Sequence, residues 1–294
     1  MKYIYLIVCC VFGHIMSLNA QVSSTAPIRF YCTNWGMQES WDTFCAHVKK
    51  AGYDGVETWL PGTPEEQQEM TEALKKHGLS LGLLAGGGGG NFEQYVRSFS
   101  SNLETAAKFR PDYINCHTGK DYYTFEQNQQ LIEIGAKVSE RHHLPVYHET
   151  HRGRFSFAAH VTKSYLTAIP DLTLALDISH WCNVHESLLG DQQEAVALAL
   201  MRTGHIHARI GHPQGPQVND PAAPEWKRTV DQHLAWWDEV VRIHKMQNRT
   251  LSITTEFGPA GYLPTLPYTQ QPVADQWQLN VYMLNLLRAR YNNE

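Results

Sequence analysis

The sequence predicts an α/β chain closed into a single (β/α)8 barrel, the TIM-barrel architecture. Three observations carry this expectation. From residue 28 onward, short β-like runs alternate with amphipathic helical stretches, and eight such pairs fit within the 294 residues. The strands are apolar along most of their length, as strands of a parallel sheet buried on both faces must be. Polar side chains gather at the strand ends, where barrel active sites converge. An open doubly wound sheet is the alternative, but the glycine-rich fingerprint that usually follows its first strand is missing.

The units follow one another without an interdomain linker or a sequence repeat beyond this rhythm. The run Ile28–Thr33 leads into the helical stretch Ser40–Lys50, and Gly55–Leu60 into Pro64–His77. Leu79–Leu84 precedes Phe92–Phe109, and Tyr113–His117 precedes Phe125–His142. Val146–Glu149 is followed by Phe157–Ile169, and Leu172–Asp177 by Glu186–Thr203. His205–Ala208 and Leu251–Glu256 lead into Glu225–Met246 and Val273–Tyr291. Helical spacing of apolar residues distinguishes the second member of each pair from the first. Two connections stand out. Gly86–Gly90 is five consecutive glycines, which permit close backbone approach or flexibility. The stretch Ile210–Pro224 exceeds a typical βα connection and suggests a lid or a substrate-facing wall.

Composition excludes several classes. At 43% hydrophobic and 18% charged residues the chain has the makings of a folded core rather than a disordered segment. Its net charge of −5 lacks the basic footprint of nucleic-acid binding. Lys2, the apolar run from Tyr3 to Phe12 and the small Ala20 before Gln21 form the layout of a secretory signal peptide over residues 1–20. Cys9 and Cys10 leave a lipoprotein signal as the competing reading, although neither follows the small residue that such a signal requires. No later segment approaches the ~20 apolar residues of a membrane span, so the mature domain, residues 21–294, is expected to be exported and periplasmic without a membrane span. Cys32, Cys45, Cys116 and Cys182 are scattered singly, which favours buried free thiols over a disulfide framework. A homo-oligomer is compatible with the sequence, which does not separate buried from exposed apolar helix faces.

The chemistry concentrates in four residues at the ends of four successive strands: Glu149, Asp177, His207 and Glu256. Three carboxylates turned into one barrel mouth repel and are costly to desolvate. A divalent cation resolves that conflict, and three oxygen donors with one imidazole suit Mn²⁺, Mg²⁺, Co²⁺ or Zn²⁺. Other polar residues have two readings each. His117 is a second ligand, a substrate contact or a satisfied structural histidine; Glu57 faces substrate or supports a neighbour. By the alternation of strand side chains His148 packs outside the barrel, whereas His205 shares the face of His207 one layer deeper. His151 and Arg152 lie in a loop within reach of substrate. Trp35, Trp59 and Trp181 offer flat rings for a sugar face, with aromatic burial as the alternative. Trp236 and Trp237 are core.

The exits Glu149, Asp177-x-x-His180, His205-x-His207 and Glu256, in that order on strands five to eight, resemble the xylose isomerase-like TIM-barrel family. That family holds sugar isomerases and epimerases and shares its fold with endonuclease IV. The segments His148-Glu149-Thr150-His151-Arg152-Gly153 and His207-Ala208-Arg209-Ile210-Gly211-His212-Pro213 are most similar to a secreted branch of it. The resemblance implies that Glu149, Asp177, His207 and Glu256 bind one divalent metal, and that Glu149 and Glu256 form an acid/base pair on opposite faces of the substrate. It implies that His180 and an arginine after strand seven contact substrate hydroxyls. Arg209 is the nearest candidate, though closer to the metal histidine than the epimerase arginine. Gly86–Gly90 replaces the histidine that endonuclease IV carries after strand three, and that enzyme's acid-plus-histidine pair after strand seven is not evident.

The expected function is therefore that of an exported, metal-dependent sugar isomerase or epimerase. It acts by removing a proton next to a carbonyl through a stabilised enediolate. The substrate is a small carbohydrate, with His117, Glu57, His180, Arg209 and Trp181 as its contacts. A lyase on 3-keto-sugars or glycosides using the same residues is the alternative, and export favours it. A phosphodiesterase of the endonuclease IV kind and a non-catalytic sugar-binding protein rank below these.

Overall fold

The computed structural model describes residues 27–291. The expected signal segment, residues 1–20, lies outside them. The eight strands are β1 (Ile28–Thr33), β2 (Gly55–Trp59), β3 (Ser80–Gly86), β4 (Tyr113–His117), β5 (Val146–Glu149), β6 (Leu174–Leu176), β7 (Thr203–Ala208) and β8 (Leu251–Thr255). They pair in chain order, all parallel, and β8 closes on β1 through Ile28↔Leu251 to Cys32↔Thr255. The expected (β/α)8 barrel is thus the fold, a single domain.

Around it run α1 (Trp41–Ala51), α2 (Pro64–His77), α3 (Phe92–Lys108), α4 (Phe125–His142), α5 (Ala159–Ala168), α6 (Ile178–Val184), α7 (Gln193–Met201), α8 (Lys227–Met246) and α9 (Gln276–Tyr291). Local chemistry sets their ends. Ser40, Thr63 and Asn91 each accept a backbone N–H in the first turn of the following helix, and Thr124 with Gln127 closes a full capping box. Gly52 and Gly78 stop α1 and α2 at φ of +100° and +61°.

Strand alternation sends Phe30, Val56, Ile114, Val146, Leu174, Ile206 and Ile253 outward, where they are buried under the helices. Inward-facing positions are strongly polar. At the N-terminal end of the barrel, tyrosine rings close the lumen because glycines on the neighbouring strands leave room. A Cβ on Gly55 would lie 2.5 Å from the Tyr31 ring, and one on Gly82 2.5 Å from that of Tyr113. Gly204 makes the same space for Tyr147. The Tyr31 and Tyr113 rings meet edge to face at 5.2 Å.

Two regions differ from expectation. The chain does not wait until residue 186 to become helical after β6. Asp177 is itself an N-cap, accepting from the Ser179 N–H at 3.1 Å, so α6 begins immediately. The expected helix over 186–203 shortens to α7, because Glu186 and Leu189 adopt left-handed φ values of 46° and 58° that a helix does not accommodate. The stretch 210–224, expected as a lid or a substrate-facing wall, is anchored to the barrel. The side chain of buried Gln217 both donates to the Gly258 carbonyl and accepts from its N–H, and the Val218 N–H donates to Ile210 O, which pins the segment beside β8. The four described cysteines are buried free thiols. Among the described residues no helix is long and apolar enough to cross a membrane.

Candidate active site

The site is built from the middle of the lumen upward. Glu57, fully buried on β2, accepts from the Tyr113 hydroxyl at 2.7 Å and lies 3.0 Å from His205 Nε2 and 2.6 Å from His207 Nε2. His205 Nδ1 in turn meets Ser252 Oγ at 2.7 Å. Burial alone would raise the Glu57 carboxyl, but the His207 and His205 rings overcome it and hold the group well below the usual carboxylate range. Of the two readings of Glu57, the supporting role is the one the structure shows; it is not exposed to the cavity above. His205 is the deeper partner that strand alternation predicts. His148 points outward as expected, against Gly135 of α4, and bonds Thr118 Oγ1 at 2.7 Å.

Directly above lie the four residues from the strand exits. His207 Nδ1 is 2.9 Å from Glu256 Oε2 and 3.8 Å from Glu149 Oε2. Burial disfavours an imidazolium here, yet Glu256, Glu57 and Glu149 outweigh it and hold a proton on His207 far above its ordinary range. Glu149 Oε2 accepts from Asn115 Nδ2 at 2.8 Å and lies 3.0 Å from His117 Nε2. Burial pushes that carboxyl up, but His117 and His207 prevail and keep it well below its usual value. Asp177 is bonded to Ser179 and to the Arg209 guanidinium. Burial, with Glu256 and Glu149 adding to it, lifts Asp177 to about 6 despite Arg209. Arg209 also lies 2.8 Å from His180 Nε2 and 3.6 Å from Glu256.

A cavity of about 220 Å³ opens above this cluster. Glu149, Glu256, Arg209, His117 and His151 line it, with Trp35, Trp59 and Tyr262 forming the rim. Trp59 packs edge-on against His117 with ring centroids 5.2 Å apart, and its indole is about half exposed. His180 is fully buried behind Arg209 rather than on the wall. Trp181 corrects the sequence expectation. Its indole is wholly buried and its N–H donates to the Ser156 carbonyl at 2.8 Å, because the early start of α6 turns it into the core instead of the mouth. Tyr262 is the wall residue that sequence reasoning missed. It stacks under the Arg209 and Arg152 guanidinium groups at 4.7 and 5.0 Å, and it comes from an irregular stretch without periodicity to signal it.

The donor set fits a divalent cation. Glu57, Glu149, Asp177 and Glu256 are four buried carboxylates, and among the described residues Arg209 is the one guanidinium bonded among them. His207 Nδ1 and Glu256 Oε2 face each other, both buried and neither with a hydrogen-bond partner. The carboxylates that draw a proton to His207 Nδ1 would equally draw a cation. Donor atoms of Glu149, Asp177 and His207 lie within 4.8 Å of one another, while Glu57 holds the opposite ring nitrogen of His207. Two other acid–histidine groups, Glu57 with His205 and His207, and His117 with Glu149 and His151, overlap this one. In the first the imidazoles are engaged by Glu57. In the second the Arg154 guanidinium donates to His117 Nδ1 at 3.3 Å, which keeps the His117 proton on Nε2.

A family model described as the xylose isomerase-like TIM barrel matches residues 45–248. D-allulose 3-epimerase from Methylomonas sp. superposes with a TM-score of 0.62 at 14% identity, over 90% of this chain and 98% of that one. 3-Keto-D-glucoside 4-epimerase from E. coli gives a TM-score of 0.60 at 16% identity, over 89% and 99%. A probable 3-DHS dehydratase involved in petrobactin synthesis, from Bacillus anthracis, gives 0.57 at 15%, over 88% and 98%. Likeness at these identities speaks for the fold. No curated protein sequence matches the chain at a significant level. With the closed eight-stranded barrel and a family match over more than two thirds of its length, the chain belongs to the xylose isomerase-like TIM-barrel family.

Proposed function

We propose that this protein is a divalent-metal-dependent sugar isomerase or epimerase that moves a proton at the carbon next to a carbonyl. One observation carries the reading. Glu149 and Glu256, on strands β5 and at the end of β8, line the same small cavity, while Asp177, His207 and Glu57 lie beneath it. The likeness in fold to enzymes named D-allulose 3-epimerase and 3-keto-D-glucoside 4-epimerase supports it.

Glu149, Asp177, His207 and Glu256 would hold the cation, which supplies Lewis-acid polarisation of the substrate carbonyl when bound. The remaining work belongs to the chain. His117 and Asn115 keep the Glu149 carboxylate ionised and oriented, ready to take a proton. Glu256 returns a proton from the other side, which inverts a centre, or Glu149 returns it to the neighbouring carbon, which moves the carbonyl. The rim indoles of Trp35 and Trp59 cover the sugar ring and limit water access.

Incubation with ketoses and 3-keto-glucosides in D₂O tests the reading. Wild type loaded with Mn²⁺ should place deuterium next to the carbonyl, and Glu149→Gln and Glu256→Gln should each lose that exchange by about 10²–10⁴-fold. Metal content is measured alongside. No exchange by wild type on any of these substrates would remove the enzyme reading, and full exchange in both metal-loaded variants would move the base elsewhere. Release of the aglycone from a 3-keto-glucoside would establish the lyase alternative, for which the half-exposed Trp59 offers a platform to a second ring. We further propose export with cleavage before Gln21, on the strength of the Lys2, apolar-run and Ala20 pattern. N-terminal sequencing of the protein from the periplasmic fraction should begin at Gln21.

A further inference from the structure

We infer that the groove between α1 and α9, which adjoins the catalytic cavity at the β1 exit, is a subsite for the second ring of a neutral glycoside or oligosaccharide. The inference rests on the sugar reading above and narrows its substrate class from a free monosaccharide to a glycosidically linked one.

The groove is a cavity of about 600 Å³, walled by Cys32 on β1, by Phe44 and His47 of α1 and by Trp277 and Gln278 of α9. It is not separate from the site. Thr33, Asn34 and Trp35 line both this groove and the 220 Å³ cavity that holds Glu149 and Glu256. A ligand that extends from the cavity across Trp35 therefore reaches the groove.

The divide between the two is rigid. The Trp35 N–H donates to Thr33 Oγ1 at 3.1 Å, and Gln276 Nε2 donates to the Trp35 carbonyl at 2.7 Å and to the Phe257 carbonyl at 2.9 Å. The indole packs on Gly258, where an added Cβ would come within 2.4 Å of the ring, and it meets the Tyr262 ring edge to face at 4.8 Å. Gly36 turns the chain at a φ of +86°, and a Cβ there would lie 2.7 Å from Gln276 Oε1. An indole that is 37% exposed is thus fixed in advance at the junction, so a ligand does not bear the cost of ordering it.

The lining selects the chemistry of the ligand. Trp35, Trp277 and Phe44 offer apolar surface to the C–H faces of a sugar ring. The side-chain amides of Asn34, Gln38 and Gln278 have no hydrogen-bond partner among the described residues, which leaves donors and acceptors for its hydroxyls. Charge is scarce. Glu39 is paired with His47 at 3.0 Å, and Lys50 is the one other charged side chain among the described residues of the wall. A neutral polyol with apolar faces matches this surface better than an anion does. The smaller cavity takes the reacting ring, and the groove takes the ring linked to it.

Calorimetry on the full mature chain with Mn²⁺ present tests this. Methyl β-D-glucoside is the one-ring probe, and cellobiose, maltose and trehalose are the two-ring probes. Wild type should bind at least one two-ring sugar about 10-fold or more tightly than the methyl glucoside. Gln278 is exposed and lines the groove but not the cavity. Gln278→Trp, which fills the groove, should erase that gain and leave methyl glucoside binding unchanged. Circular dichroism checks its folding, and Gln38→Ala, which should reduce the gain several-fold, stands in if it misfolds. Equal affinity for one-ring and two-ring sugars, or a gain that survives Gln278→Trp, overturns the subsite. A gain lost in Trp59→Ala but kept in Gln278→Trp overturns it as well, by placing the second ring on Trp59. A wild-type dimer in sedimentation that Gln278→Trp splits, with no gain from a second ring, gives the groove to a second copy of the chain instead. If D₂O exchange fails on every substrate while a gain sensitive to Gln278→Trp is present, the isomerase reading falls and the subsite stands. If no sugar of either size binds, the subsite falls, and D₂O exchange judges the isomerase reading on its own.

Discussion

His207 Nε2 lies 2.6 Å from Glu57 Oε1, a hydrogen bond that crosses the lumen from β7 to β2. Because Glu57 accepts the Nε2–H hydrogen bond, Nδ1 is the ring nitrogen left to face Glu149 and Glu256, where a bound cation would take the place of its proton. A carboxylate in this position fixes the tautomer of a metal-ligating histidine and makes it more basic. Glu57→Gln should therefore weaken Mn²⁺ binding by about 10–100-fold without touching the cavity wall. Competition against a fluorescent chelator measures it. Unchanged affinity would show that Glu57 serves the barrel core alone.

Arg209 lies against Asp177 and Glu256, the same carboxylates that the proposed cation would neutralise. Replacing Arg209 by Ala leaves Asp177 buried without its partner, a change that costs about 3–5 kcal/mol in comparable pairs. In thermal unfolding with EDTA the variant should melt well below wild type. Saturating Mn²⁺ should then raise its melting temperature by more than it raises that of wild type, since the cation supplies the missing charge.

The His233 ring is fully buried on α8. Its Nδ1–H donates to the Thr229 carbonyl at 2.9 Å, and its Nε2 accepts from the Gly211 N–H at 3.2 Å. Burial lowers its pKa to about 4. The unfolded chain takes up this proton below pH ~6.5, whereas the folded chain resists it until about pH 4, so stability is lost as pH falls through that window. The loss amounts to at most ~3 kcal/mol for this one group. Urea midpoints at pH 7 and pH 4.5 should differ by less in His233→Gln than in wild type.

Gly82→Ala tests the tyrosine floor. The new methyl would lie 2.5 Å from the Tyr113 ring and 2.6 Å from its hydroxyl, the same hydroxyl that donates to Glu57. Overpacking of this kind costs about 1–3 kcal/mol. Denaturant unfolding should show that loss, and Mn²⁺ affinity should fall with it because Glu57 is displaced. Gly52→Ala, with nothing within 4 Å of the added carbon, should leave Mn²⁺ affinity unchanged, its strain being confined to the left-handed stop of α1.

Trp59 lines the cavity with an indole that is 47% exposed. Trp59→Ala removes a stacking face but little buried area, so it should raise the KM for a sugar substrate several-fold while the melting temperature barely moves. An unaltered KM would assign the sugar face to Trp35 alone.

The order of elements, their parallel pairing and the polar strand exits were all legible in the chain, because local periodicity and β-branched runs act over a few residues and repeat eight times. The positions of Glu149, His207 and Glu256 followed from the same logic, since a strand exit in a closed barrel points at the axis whatever surrounds it. Partnership was not legible. Glu57 meets His207 across 150 positions of sequence, and whether it would face the cavity or support an imidazole depends on barrel stagger rather than on its neighbours in the chain. Trp181 is a case of local chemistry read one step too late: the Asp177 N-cap starts α6 at once and rotates the indole inward. Tyr262 comes from a loop, where no period marks a side chain's direction, and its place at the mouth was decided only by how the helices and the closed sheet hold that loop.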